Sequence, residues 1–233
     1  MRYLCCVTAL TAWLAACLCG AVAQAADPMD WPNWRGPNYD GTSHEVGLVD
    51  SWDPETGENL LWKRADLPTR STPICMNGKL YFLARADAGT KVEGERVVCI
   101  DAVTGQDDWQ AKFGVYLSEV PDTRVAWSNV CGDPETGNVY AQGVCGLFMC
   151  LDGETGKSLW SRSLHEEFGL LSTYGGRTNV PVVFEDTVII SAVIIGWREM
   201  AVPAHRFICF DKKTGEVRWI SGTALSPPDT TYS

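Results

Sequence analysis

Apolar positions along this chain fall in short runs separated by turn residues, as in Lys79-Leu80-Tyr81-Phe82-Leu83-Ala84 and in Thr187 to Ile194. Runs of this kind, rich in branched and aromatic side chains that pack on a pleated surface, read as β-strands. Long stretches with apolar residues at helical spacing are absent. The pattern predicts strands at Ser71 to Met76 and Lys79 to Ala84 around Asn77-Gly78, then at Arg96 to Ile100 and Asp108 to Phe113. It predicts more at Ala126 to Cys131 and Asn138 to Val144 around a turn at Asp133 to Gly137, and at Gly146 to Leu151 and Ser158 to Leu164. A third set starts with Asn179 to Phe184 and Thr187 to Ile194 around Glu185-Asp186.

One frame recurs: Cys99-Ile100-Asp101 with Thr104-Gly105 and Trp109, Cys150-Leu151-Asp152 with Thr155-Gly156 and Trp160, Cys209-Phe210-Asp211 with Thr214-Gly215 and Trp219. Asp-x-x-Thr-Gly is turn chemistry, because the Asp side chain accepts from amides ahead of it and Gly takes the positive φ of a tight hairpin. The Trp past each turn is a large flat group in the same place every time, which predicts packing against the next unit. The Asp positions are 51 and 59 residues apart, near the upper end of known repeat periods. Four antiparallel strands per repeated unit is the sequence form of a β-propeller blade, and the expected fold is all-β.

The frame resembles the tryptophan-docking motif of quinoprotein-type β-propellers, Ala-x-Asp-x-x-Thr-Gly-x-x-x-Trp, with Cys99, Cys150 and Cys209 in the Ala place. Trp31-Pro32-Asn33-Trp34-Arg35-Gly36-Pro37-Asn38, followed by Asp40-Gly41, is similar to the entry of exported bacterial PQQ-like repeat proteins, among them BamB-like assembly factors. The resemblance implies three four-stranded blades at about 66–113, 124–164 and 177–223, inside an incomplete propeller over 59–233 preceded by an extension at 27–58. Asn59 to Ala65, with Trp62, reads as the last strand of a blade lacking its first three. Residues 230–233 read as the start of a further blade. Both ends predict a fragment of a longer propeller. Quinoprotein dehydrogenases on this fold bind pyrroloquinoline quinone (PQQ) and calcium and use a catalytic Asp and often a vicinal cysteine pair. The Cys-Cys here, Cys5-Cys6, lies before the extension, and no Asp, Glu or Asn matches the calcium or base positions. No cofactor is therefore evident, and PQQ and calcium would need residues from blades outside this chain.

Composition narrows the function classes. The 233 residues are 45% hydrophobic and 21% charged with a formal charge of −10, which suits a soluble globular protein and excludes nucleic acid as a partner. Residues 1–26 read as an export signal: Arg2, an apolar run from Tyr3 to Leu18, and a small-residue exit at Ala23-Gln24-Ala25. The apolar core is too short and Ala-rich for a transmembrane anchor. In an alternative reading, Leu14-Ala15-Ala16-Cys17 resembles a lipoprotein box that would place a lipid on Cys17. Either way the protein is exported, to the periplasm, to the outer membrane or outside the cell. Outside the leader stand Cys75, Cys99, Cys131, Cys145, Cys150 and Cys209. The hairpin register sets Cys131 opposite about Val139, away from Cys145, so the expectation is free thiols.

The short A–B and C–D turns share one face of the propeller and the long connections share the other. Arg85 to Glu95, Gly114 to Thr123, His165 to Gly176 and Gly196 to His205 form that elaborated face, where binding residues concentrate. Arg70, Arg124 and Arg177 precede the inner strand of each unit, at spacings of 54 and 53. Around a central channel they form a basic rim that either pairs with neighbouring carboxylates or, with Asn179, binds an anion. Trp197-Arg198-Glu199 walls a pocket or packs as a loop, so Trp197 and Glu199 are further candidate ligand residues. His165 with Glu166-Glu167, and His205, lack a third metal ligand at diagnostic spacing. No catalytic set stands out. Three classes remain: a non-enzymatic exported scaffold contacting a protein or anionic ligand through its long-loop face, a PQQ-dependent oxidoreductase fragment, and a polymer- or carbohydrate-binding module suggested by ten Trp.

Overall fold

The computed structural model describes residues 27–115, 125–169, 180–194 and 204–222. The first sheet is β1 (Ile74–Met76), β2 (Lys79–Ala86), β3 (Gly94–Asp101) and β4 (Asp107–Gly114). The second is β5 (Val130–Asp133), β6 (Asn138–Gln142), β7 (Leu147–Asp152) and β8 (Ser158–Ser163), and a short helix α1 (Leu164–Phe168) follows it. The third is β9 (Val182–Phe184), β10 (Thr187–Ile194), β11 (Ala204–Asp211) and β12 (Val217–Gly222). Each sheet is a four-stranded antiparallel meander in chain order, the architecture of a propeller blade.

The turns between third and fourth strands form because Asp-x-x-Thr closes on itself. Asp101 Oδ1 accepts from the Thr104 amide (2.7 Å) and hydroxyl (2.9 Å), and Asp152 does the same with Thr155 (2.8 Å each). Gly105, Gly156 and Gly215 end these turns at φ of 69°, 69° and 71°, where side chains are strained. Their missing Cβ has a second use. A Cβ on each would stand 2.6, 2.5 and 2.7 Å from the rings of Trp62, Trp109 and Trp160. Each indole therefore lies flat on the turn of the following sheet. Each also donates its N–H to the carbonyl just after the turn Asp: Trp62 to Ala102 (3.0 Å), Trp109 to Gly153 (2.8 Å) and Trp160 to Lys212 (3.1 Å).

A second aromatic meets the same carbonyls. The Tyr81 hydroxyl donates to Gly153 O (3.2 Å) and the Tyr140 hydroxyl to Lys212 O (3.0 Å), each ring centred 6.0 Å from its Trp. Tyr81, Cys99 and Trp109 are cross-strand neighbours, as are Tyr140, Cys150 and Trp160. The small Cys thus fits on the middle strand between two rings. Alternating faces then fill two seams. Ile74, Met76, Leu83 and Val97 pack with Val130, Val139, Ala141 and Leu151. Tyr140, Phe148 and Cys150 pack with Val188, Ile190, Ile208 and Phe210.

Several local expectations are corrected. Asn59 to Ala65 is not a strand, although Trp62 docks as a blade's last Trp would. The first strands begin later than the apolar pattern suggests, at Ile74 and Val130 instead of Ser71 and Ala126. Residues just before them bond sideways between blades: the Arg70 amide to Ala126 O (3.2 Å) and the Thr72 amide to Asn129 Oδ1 (2.7 Å). Cys131 stands opposite Tyr140, because Asp133 pairs with Asn138 and shifts the register by one. Cys75, Cys99, Cys131, Cys150 and Cys209 are free thiols. Leu164 opens α1 instead of ending a strand, since the Ser163 hydroxyl caps it by accepting from the Glu166 amide. The connection read as Arg85 to Glu95 is shortened by the length of β2 and β3 to residues 87–93.

Trp219 also departs from its counterparts. It is 45% exposed, whereas Trp109 and Trp160 are half-buried with a sheet over them. Replacing Trp160 with Ala should lower stability by about 3 kcal/mol, as expected for truncating a packed aromatic. Replacing Trp219 with Ala should cost under about 0.5 kcal/mol. Urea unfolding of both variants checks this, and equal losses would refute the docking account.

Candidate functional site at the inner strands

The first strands β1, β5 and β9 converge, and the segment Asp30–Tyr39 crosses their edges. Trp31 and Cys75 exchange both backbone bonds, and Pro32 O accepts from the Gly132 amide (2.8 Å). Beside this crossing is a cavity of about 550 Å³ lined by Trp34, Arg70, Thr72, Trp127, Asn129, Val180, Val182, Ile189, Ile190, Ser191 and Phe207. Its walls are mainly apolar, and Arg70 is the cation among the described lining residues.

Arg70 is held from two sides. Its amide bonds to Ala126 O, and its guanidinium carbon lies 5.5 Å from the centre of the Trp127 ring, a cation–π contact. Ala126 has the left-handed φ of 57°, an unfavourable state for a residue with a Cβ. A buried carboxylate fixes it. Glu95, fully buried on β3, accepts from the Ala126 amide through Oε1 (2.7 Å) and from the Val144 amide through Oε2 (2.8 Å). Arg85, opposite Glu95 on β2, is turned to Glu93 instead (Nε to Oε1, 2.6 Å). Burial therefore outweighs the two amide bonds and raises the Glu95 carboxyl to about 7.

Of the sequence candidates, Arg70 lines the cavity. Arg124, Arg177, Asn179, Trp197 and Glu199 lie outside the described residues, as do residues 1–26 with the leader and Cys17, and 230–233. His165 stands in α1, where Arg162 pairs with Glu167, and no cluster of three His, Cys, Asp or Glu able to hold a metal occurs among the described residues. Sequence reasoning missed Trp34, Thr72, Trp127, Asn129 and Glu95. The available signal was polar Asn129 directly before an apolar strand and Glu95 inside one. The described lining of the cavity carries no carboxylate of the kind that a calcium ion takes as ligand.

Three Trp-docked four-stranded sheets define a β-propeller repeat protein. The sequence matches the family described as outer membrane protein assembly factor BamB over residues 42–192 and again over 93–230, and the chain belongs to that family of PQQ-like repeats. It is 27% identical over 169 residues to quinohemoprotein alcohol dehydrogenase ADH IIB of Pseudomonas putida, 70% of this chain and 21% of the relative. The chain thus spans about a fifth of that relative's length. In fold it is similar to a europium-containing methanol dehydrogenase (TM-score 0.57, 17% identity, 84% of this chain and 32% of the other). It is also similar to quinohemoprotein alcohol dehydrogenase ADHIIG from Pseudomonas putida HK5 (TM-score 0.54, 19% identity, 84% and 27%).

Because the folded Glu95 carboxyl is raised above its unfolded value near 4.5, the folded state holds a proton that the unfolded state lacks between those pH values. Its contribution to stability is complete below about pH 4.5 and is lost as pH rises through about 7. Relative to Glu95→Gln, the wild-type chain should gain on the order of 2 kcal/mol on going from pH 8 to pH 5. Thermal melts across that range check this, and a parallel pH dependence in the two proteins would remove Glu95 from the account.

Proposed function

We propose that this chain is an exported, non-enzymatic propeller scaffold that binds an anionic group of a ligand or partner protein through its inner-strand cavity. The observation that carries the reading is Arg70: a guanidinium stacked on Trp127 at the edge of an otherwise largely apolar cavity of about 550 Å³. That volume is ordinary for a ligand site, and apolar walls with a few convergent polar groups are its usual lining. The assembly-factor description of the family favours a protein partner. Among the described residues no helix is long and apolar enough to cross a membrane. In this reading residues 1–26 are the export signal and the chain works in the periplasm or at the outer membrane.

A second reading, part of a PQQ-dependent oxidoreductase, is favoured by the 27% identity to an alcohol dehydrogenase. In it, Arg70 would meet a carboxylate of the quinone, which supplies the electron-accepting chemistry when bound, and calcium ligands would come from outside the described residues. Dye reduction from an alcohol by the chain supplied with PQQ and calcium would support this reading and overturn the non-enzymatic one.

Titration of the chain with inorganic phosphate and with benzoate, followed by tryptophan fluorescence, tests the site directly. Arg70→Leu should weaken binding by about tenfold, the loss of one charge-assisted bond. Unchanged affinity with a lowered melting temperature would make Arg70 purely structural. Export predicts a mature protein in the extracytoplasmic fraction starting at Ala26, read by intact mass and N-terminal sequencing. A lipidated N-terminus at Cys17 would select the anchored alternative, and an uncleaved cytoplasmic chain would refute export.

A further inference from the structure

The inner strands β1, β5 and β9 present sheet edges, and an uncovered edge is a liability. The segment Asp30–Tyr39 meets each in turn. At the first sheet, the Trp31 amide donates to Cys75 O (2.7 Å), the Cys75 amide donates to Trp31 O (3.0 Å), and Asp30 Oδ1 accepts from the Asn77 amide (2.9 Å). At the second sheet, the Gly132 amide donates to Pro32 O (2.8 Å). At the third, the Tyr39 hydroxyl donates to Val183 O (3.0 Å). One short segment therefore touches all three blades.

Its shape is set internally. The Gly36 amide donates to Asn33 O (2.8 Å) and the Gly41 amide to Arg35 O (2.9 Å), closing a tight loop. Gly36 has a φ of 78°, and the Trp31 ring covers it so closely that a Cβ would stand 2.8 Å away. The loop projects Trp34 into the cavity wall, with the Arg35 guanidinium carbon 4.6 Å from its ring centre. Two buried atoms of the segment, Asp30 Oδ2 and Asn33 Nδ2, have no hydrogen-bond partner, a cost that weakens its seating.

We propose that Asp30–Tyr39 is a trans-blade strap that sets the three sheets against one another and completes the cavity with Trp34, so that the site exists only while the strap is seated. The site half of this statement rests on reading the cavity as an anion site; the strap half does not. Gly36 and Gly41 give a matched pair of variants, since both have φ near 77° but nothing lies within 4 Å of a Cβ at Gly41. In the full chain, hydrogen exchange of Gly36→Ala should accelerate by at least about tenfold at the Cys75, Asn77 and Gly132 amides together, with β3 and β7 still protected. Gly41→Ala should leave those three amides unchanged. Acceleration at Cys75 and Asn77 without Gly132, or none, overturns the strap. Should Gly36→Ala lose protection throughout, Tyr39→Phe decides: faster exchange at Gly132 supports the strap, and no change overturns it. Trp34→Ala should weaken phosphate binding by about tenfold with exchange unchanged, and unaltered binding overturns the site half. If wild-type protein binds no phosphate while the three amides respond together, the anion site fails and the strap stands.

Discussion

Each described seam between blades depends on an indole lying flat on a glycine, and that contact needs four residue types at once. Asp and Thr close the turn, Gly supplies both the positive φ and the absent Cβ, and Trp lies across it with its N–H aimed at a carbonyl in the same turn. The ring cannot lie flat if the Gly gains a side chain, and its N–H loses its acceptor if the turn opens. Because the carbonyl belongs to the residue after Asp, its own side chain is free to vary, and Ala102, Gly153 and Lys212 all serve. Once two such contacts set the spacing of three sheets, the first strands must converge, and the strap and cavity follow from that convergence.

A second layer of interaction lies beside these contacts. Between the first two blades, Lys79 reaches Glu154 (3.1 Å) on the following turn and Asp108 (3.0 Å) on its own sheet. Between the second and third the polarity reverses: Lys212, with its side chain 2% exposed, meets Asp133 (3.1 Å) and Glu135 (2.5 Å) of the preceding blade. Exchanging the two seams would set Lys79 against Lys212, or Asp133 and Glu135 against Glu154. Such repulsion discriminates among packings that the Trp contact alone would treat alike, and it acts most strongly on the buried Lys212.

The fold was legible because its determinants are local. Asp101, Thr104, Gly105 and Trp109 lie within nine positions, so turn chemistry, strand ends and docking ring can be read together. Trp62 showed the same signal even though the residues around it form no strand. The site was less legible because its determinants are distant. Asn129 matters through the Thr72 amide 57 residues earlier, and Tyr39 through Val183, 144 residues later. Arg70 was found because it recurs with Arg124 and Arg177, but Trp34 and Trp127 have no repeat partners and nothing in their neighbourhood announces a shared cavity. The inner strands were overextended for the same reason: pattern alone does not show that the backbone at Arg70 and Thr72 bonds across a seam.

Glu95 joins the two scales. It occupies a strand position that the apolar pattern would assign to a hydrophobic residue, and it is unique among the three blades, since its equivalents six residues before the turn Asp are Gly146 and His205. A hydrophobic side chain there would leave the Ala126 and Val144 amides without their acceptor, and each buried amide left unpaired costs about 1–3 kcal/mol. The backbone of Ala126 is then bound on both sides, its N–H donating to Glu95 and its carbonyl accepting from the Arg70 amide, in a left-handed conformation that is unfavourable for a residue with a Cβ. Trp127 follows directly, and the guanidinium of Arg70 rests on its ring. The cavity wall is thus positioned by a single carboxylate in the seam behind it, and the same seam that holds the blades together holds the site in shape.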